Sequence, residues 1–174
     1  MAHGIETGPG TELLNPVPAD DDLRHAFAAY PSGIIALCAE REGTPMGMAA
    51  SSFTSVSMEP PLVSVCVQLT SRTWPRLREA GHLGLSVLAQ GHEAACRALS
   101  DKDGNRFAGV DRRTSGTGAI FVSGATLWLE CRVTDELPAG DHLIAVLRID
   151  RLHVDHTAEP LVFHQSCFRG LMLP

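Results

Sequence analysis

The chain has 174 residues, 44% of them hydrophobic and 20% charged, with a formal net charge of −6 at pH 7. That length suits one soluble domain with a single buried core. No apolar run reaches the ~20 residues of a membrane helix, and the acidic balance argues against duplex nucleic acid, whose phosphates require a basic surface.

Residues 1–18 are rich in Gly, Pro and Thr and poor in large apolar side chains, the composition of a mobile arm ahead of a domain over 19–174. Residues 1–6 lack the basic-then-apolar order of a secretory signal. Asp20, Asp21 and Asp22 supply an N-cap and first-turn acids for a helix carrying Leu23, Ala26, Phe27 and Tyr30 on one face, ended by Pro31. Residues 33–39 form a short apolar run, 40–45 read as a hairpin turn, and 62–68 as a buried strand. Residues 70–75 look like a helix entry with Pro75 near its first position, and Gly81 closes that helix. A third strand follows over 83–88 and a short helix over 93–100. Residues 101–118 are polar and glycine-rich, which predicts a long loop around Arg106 and Phe107.

Two later strands alternate cleanly. Over 126–133, Leu127, Leu129, Cys131 and Val133 share a face opposite Trp128, Glu130 and Arg132. Over 143–154, Leu143, Ala145, Leu147 and Ile149 lie opposite Arg148 and Asp150. Strands dominate, helices are short, and there is no βαβ rhythm and no repeat, which predicts a mainly β antiparallel barrel with a few helices outside it.

Three segments carry chemistry. Residues 47–57 place Ser51, Ser52, Thr54, Ser55 and Ser57 among small residues, and Pro60 and Pro61 follow. Such hydroxyls either satisfy their own strand edge and turn, or offer donors to a flat ligand with polar edges. Ser71, Arg72 and Thr73 stand before a helix start, where free N–H groups, a guanidinium and hydroxyls suit a phosphate; any helix start has part of this pattern. Gly140-Asp141-His142 opens a strand and alone reads equally as a tight turn. His153 with His156, and His164 with Cys167, have metal-like spacings but nothing to complete a ligand set, so no metal is expected. Five cysteines, at 38, 66, 96, 131 and 167, are scattered with no Cys-x-x-Cys pair, which favours reduced thiols in a cytoplasm. Cys38, Cys66 and Cys131 fall in apolar strands, where a thiol is a small hydrophobe. There is neither a nucleophile turn nor a glycine-rich dinucleotide turn.

Gly47-Met48-Ala49-Ala50-Ser51-Ser52-Phe53-Thr54-Ser55-Val56-Ser57, followed by Glu59-Pro60-Pro61, resembles the signature of the short-chain flavin reductases. Theirs reads Gly-Met-Thr-Ala-Asn-Ser-Phe-Thr-Ser-Val-Ser before an acidic residue and Pro-Pro. Ala49 stands where threonine is usual and Ser51 where asparagine is usual. Gly140-Asp141-His142 is similar to a second fingerprint of that family, and the resemblance runs from about residue 30 to 171. It implies a six-stranded antiparallel split β-barrel of Greek-key type that forms a homodimer and binds flavin at the subunit interface.

By that resemblance, Met48, Ala49, Ala50, Ser51 and Ser52 lie along the pyrimidine edge of the isoalloxazine. Cys66, Val67 and Gln68 pass the ribityl chain, and Ser71, Arg72 and Thr73 hold the phosphate. Arg106 and Phe107 lie near the flavin, while Asp141 and His142 face the nicotinamide. The implied activity is NAD(P)H:flavin oxidoreduction, a hydride passing from NADH or NADPH to FMN or FAD, with reduced flavin released to a separate monooxygenase. No side chain needs to act as a catalytic acid or base, because the cofactors carry the chemistry. A rival is a non-catalytic flavin-binding or electron-transfer module on the same barrel, disfavoured by Gly140-Asp141-His142. A third reading is a flavin-dependent oxidase or monooxygenase with its own organic substrate.

Overall fold

The structure, a computed structural model, describes residues 20–171, and the arm expected over 1–18 lies outside them. Helix α1 (Asp20–Ala28) precedes a short strand β1 (Ser32–Gly33). Strands β2 (Ile35–Arg41) and β3 (Thr44–Ala50) form a hairpin. Its turn places Glu42 and Gly43 at φ 53° and 72°, the left-handed pair that matches the twist of two-residue hairpins. Strands β4 (Thr54–Met58) and β5 (Pro61–Gln68) form a second hairpin through a cis Glu59–Pro60 bond. Helix α2 (Trp74–Leu77), strand β6 (Leu83–Val87) and helix α3 (Glu93–Ser100) follow, then β7 (Arg112–Thr114) and β8 (Ile120–Val122). The long strands β9 (Leu127–Ala139) and β10 (His142–Val154) precede β11 (Val162–His164) and β12 (Cys167–Arg169).

One antiparallel sheet runs in the order β3-β2-β6-β9-β10-β5-β4, seven strands where six were expected. β3 and β4 stand at opposite ends of that order, yet only residues 51–53 join them. Four Cα steps reach at most about 14 Å, so the sheet must curl until its two edges nearly meet. Bulges in the β9–β10 ladder, at Val146/Leu147 and Ile149/Arg151, add local twist.

The inner face of this curled sheet makes one core. Leu37, Met46, Val65, Leu85, Leu129 and Ala145 come from six different strands and meet around Trp74 and Leu77 of α2. The alternation expected for β9 and β10 is the one observed, with Leu129, Cys131, Ala145 and Leu147 inward. β2 does not alternate: Ile35 to Ala39 are all buried, because a second core covers its outer side. There Ala36 and Cys38 pack against Leu99 of α3, Phe107 and Ile120.

Three local expectations change. Residues 62–68 were expected to be buried, but only Val63, Val65 and Val67 are; Cys66 and Gln68 are exposed. One face of β5 meets the core and the other opens on a cleft. Cys38 and Cys131 are buried as expected, and burial pushes both thiols up to about 12. α2 stops at Leu77 instead of reaching Gly81, since the Ala80 N–H turns back to the Leu77 carbonyl and Gly81 leaves the helix at φ 77°. The loop over 101–118 contains β7, which pairs with β8.

On the outer face, Arg132 donates from Nε and one Nη to the two oxygens of Asp150 at 2.6 and 2.9 Å. This bond holds the Asp150 carboxyl below the usual aspartate range. A lowered folded-state value means the contribution is complete above the unfolded value of ~3.9 and is lost as pH falls through the folded one. Asp150→Asn is therefore expected to lower stability slightly near neutrality, by at most about 1 kcal/mol, and to flatten the acid limb of the stability curve. Urea denaturation across that pH range measures both.

Among the described residues no helix is long and apolar enough to cross a membrane.

Candidate functional site

A cleft of about 610 Å³ opens at the seam where the curled sheet fails to close. The end of β3 and the bend after it provide Met48 to Ser52, and the outward face of β5 provides Cys66 to Gln68. The loop before α2 adds Thr70 to Thr73, and His142 enters from the start of β10. Antiparallel register sets His142 beside Gln68. Every residue expected to contact the flavin lines this cleft except Phe107, and His142 lines it too.

The β3 edge supplies backbone groups. Arg106 donates from Nη1 to the Gly47 carbonyl at 2.8 Å, so that carbonyl points away from β2. Strand alternation turns the N–H and C=O of Ala49 the same way, onto the cleft. Ala49 contributes only backbone polarity there, so the hydroxyl expected from a threonine is missing from this wall.

Several expected side chains already have partners. The Ser52 hydroxyl accepts from the Cys66 N–H at 3.0 Å and donates to the Cys66 carbonyl at 3.1 Å, stitching the bend to β5. Ser71 Oγ accepts from the Trp74 N–H at 3.1 Å, capping α2. Thr73 Oγ1 accepts from Arg106 at 2.7 Å, and Arg106 Nε donates to the Asp101 carbonyl at 2.6 Å. Arg106 thus ties β3, the α2 entry and the end of α3 into one wall. Arg72 is far freer: its side chain is 76% exposed and reaches Asp103 at only 3.3 Å.

At the other end, His142 Nδ1 lies 2.7 Å from Asp141 Oδ1. That bond holds the Asp141 carboxyl below its ordinary range and leaves Nε2 without a partner among the described residues. Asp141 itself stands outside the cleft and orients its neighbour. Phe107 is buried in the second core with the Arg112 guanidinium 5.0 Å above its ring. His153 packs on Trp128 with centroids 5.3 Å apart, and among the described residues no three His, Cys, Asp or Glu side chains gather as a metal site.

Leu99, Ser100 and Lys102 also line the cleft, and sequence reading passed over them. Lys102 had a signal, being the only lysine beside thirteen arginines. Among the described residues no Asp or Glu lines the cleft, while Arg72, Lys102 and Arg106 do. In a chain of net charge −6, this is a local anion-attracting surface.

The family description "Flavin reductase like domain" matches residues 27–172. The chain is 37% identical over 150 residues to the actinorhodin polyketide dimerase of Streptomyces coelicolor, covering 86% of this chain and 85% of that protein. It is 36% identical over 167 residues to an NADH-dependent flavin reductase of a Rhodococcus species, covering 92% and 91%. The solved structure of the NADH:FAD oxidoreductase SgcE6 of Streptomyces globisporus, in complex with NAD and FAD fragments, superposes with a TM-score of 0.84 at 32% identity, covering 93% of this chain and 98% of that one. With its signature segment on the wall of this cleft and the family match running through nearly all the described residues, the chain belongs to the flavin reductase like domain family.

Proposed function

We propose that this protein is an NAD(P)H-dependent flavin reductase whose cleft holds FMN or FAD beside a nicotinamide dinucleotide. The observation that carries the reading is a cleft that no carboxylate lines among the described residues, with an edge strand along one wall, cations at one end and a histidine at the other. Its volume of about 610 Å³ lies in the usual range of small-molecule sites, and its donors suit the carbonyls, hydroxyls and phosphate of a flavin.

When both nucleotides are bound, the nicotinamide supplies a hydride and the flavin accepts it. The chain's own groups orient and enclose. The backbone of Ala49 and the Ser51 segment fix the polar edge of the ring. Arg72 and Lys102 neutralise phosphate at the open end, and Arg106 keeps the walls at their spacing. His142, held through Nδ1 by Asp141, presents Nε2 to the nicotinamide side. Holding the reactants in place can itself contribute several kcal/mol, so no acid–base pair is required. Reduced flavin then serves a separate monooxygenase.

We infer that six strands of the curled sheet form a split barrel with β4 as an added edge, supported by the core they share. We also infer a homodimer. Phe27 on α1 and Tyr30 in the turn after it are 69% and 78% exposed, although the sequence puts both on one apolar helix face, and a second copy would cover them. A fully active monomer in sedimentation at micromolar concentration would contradict the dimer. Five free thiols support a cytoplasmic location.

Steady-state NAD(P)H oxidation with each free flavin, and no other substrate, tests the activity; flavin bound without turnover would favour the binding module. A flavin enzyme with its own organic substrate is favoured by the identity to the polyketide dimerase. An apolar hollow of about 300 Å³ between Ile34, Cys96, Phe163 and Phe168 adjoins the cleft through Ala49 to Ser51. That reading requires NAD(P)H consumption to depend on an added aromatic compound.

His142→Ala is expected to lower kcat/KM for NAD(P)H about tenfold, the loss of one good hydrogen bond, and to leave flavin affinity nearly intact. Nucleotide kinetics like those of the unaltered protein would remove His142 from the nicotinamide side. A complete loss of turnover, with flavin still bound and circular dichroism unchanged, would place it at the hydride step.

A further inference from the structure

We infer that Glu136 is a positioning residue for hydride transfer: it fixes the short helix α2 against the β9–β10 ribbon and so sets the spacing between the two ends of the cleft. The inference rests on the reductase reading above. The two ends belong to different pieces of chain. Ser71, Arg72 and Thr73 stand on the loop before α2, and His142 opens β10. A reductase holds both nucleotides at once, so the joint between these pieces bears on the reaction. Glu136 does not line the cleft; it acts through α2.

A bulge is what turns Glu136 inward. Continued without a break, the alternation that buries Leu129 and Cys131 would point Glu136 outward. Val133 pairs with Leu147 and Asp135 with Val146, so Thr134 is the extra residue. Beyond it Glu136 stands opposite the buried Ala145, where its carboxylate takes two donors. The Trp74 indole Nε1–H donates to Oε1 at 2.5 Å, and Arg78 Nη1 donates to Oε2 at 2.7 Å. Trp74 and Arg78 are four residues apart and share a helix face, so α2 is held at two points. It needs such a hold. A helix of four residues is not stable alone, and the packing of Trp74 and Leu77 in the core is non-directional, whereas hydrogen bonds fix an orientation. That orientation passes directly to the cleft. Ser71 Oγ accepts from the Trp74 N–H at 3.1 Å, and the Thr73 carbonyl accepts from the Arg76 and Leu77 N–H groups, both at 3.1 Å. At the other side of the joint the Leu69 N–H donates to the Asp141 carbonyl at 3.0 Å, beside His142. Glu136 adds a side-chain tie to that backbone one.

Anaerobic stopped-flow reduction of flavin by NADH or NADPH, with both nucleotides saturating, tests this on Glu136→Leu, Glu136→Gln and Trp74→Phe. Glu136→Leu is expected to slow flavin reduction about tenfold. Glu136→Gln keeps an acceptor for the indole and is expected to stay within about threefold of the unaltered protein. Trp74→Phe keeps a ring in the core, removes the indole N–H, and is expected to slow reduction about fivefold. The double variant Glu136→Leu/Trp74→Phe is expected to be no slower than Glu136→Leu, because the second change removes a bond already lost. A tie that served stability alone would lower Tm and leave the saturated rate unchanged. That result in Glu136→Leu, or single losses that multiply in the double variant, overturns the inference and leaves the reductase reading intact. If Glu136→Leu does not fold, Trp74→Phe decides: a rate within about twofold of the unaltered protein overturns the inference. An unaltered protein that reduces no flavin with either nucleotide overturns the reductase reading and this inference together.

Discussion

Replacing Arg106 by alanine is expected to weaken flavin binding roughly a hundredfold, the largest effect of any single side chain around the cleft. Arg106 donates to the Gly47 carbonyl, the Thr73 hydroxyl and the Asp101 carbonyl, at 2.8, 2.7 and 2.6 Å. Hydrogen bonds from a charged donor contribute about 1.5–3 kcal/mol each. Water replaces part of that at a half-buried site, so a net loss of about 3 kcal/mol follows, or about two powers of ten. Three segments would separate: the β3 edge, the α2 entry and the loop after α3. Arg106→Lys keeps the charge but not the planar fork that serves several acceptors at once, and should recover only part of the affinity. By contrast Arg72, exposed and weakly tethered, is expected to cost no more than about tenfold when truncated. Fluorescence titration of flavin measures all three variants. An Arg106→Ala protein with unchanged flavin affinity would show that the clamp does not shape the site.

Gly84→Ala is expected to destabilise the fold by about 3 kcal/mol or more, beyond the usual range for surface-strand substitutions. A Cβ at this position would overlap the Ile120 carbonyl, lying 2.6 Å from its carbon and 2.9 Å from the Ile120 nitrogen. The obstacle is backbone, so no rotamer change relieves it. β8 cannot move away cheaply either. The Val122 N–H donates to the buried Ser86 hydroxyl at 3.0 Å, and the Trp128 Nε1–H donates to the Val122 carbonyl at 2.8 Å. For a domain of this size such a loss lowers Tm by roughly 6–12 °C. Calorimetry measures it, and a shift within about 2 °C would mean that β8 is loosely held. Gly84 does not line the cleft, so flavin affinity of the folded variant should be unchanged.

Much of this architecture is legible in the residues themselves. The alternation of Leu127, Leu129, Cys131 and Val133, and of Leu143, Ala145, Leu147 and Ile149, determines which face of β9 and β10 is buried, because side chains of a strand alternate regardless of context. The β2–β3 turn is local in part, since Gly43 takes positive φ at no steric cost, whereas Glu42 is held there by the hairpin. The signature over 47–57 marks the cleft wall, and its family is recognisable from those residues alone.

What the sequence could not determine depends on long-range pairing. The burial of both faces of β2 requires α3 and β8 to arrive from far along the chain, and the small outward residues Gly84 and Ser86 make sense only once β8 lies on them. Cys66 looks like a core thiol in a run of valines; only the curl of the sheet, which leaves β5 facing a seam, exposes it. Ser52 and Ser71 look like free ligand donors, and the folded chain spends both hydroxyls on backbone N–H groups that would otherwise lack partners. Arg106 is an unremarkable arginine in a polar loop until three carbonyl and hydroxyl oxygens from distant segments converge on it. Sequence alone thus determined the faces of β9 and β10 and the family, which follow from local periodicity and motif; the tertiary structure decided which polar groups remain available to a ligand, because a hydrogen-bonding group is free only when no neighbour in space has claimed it.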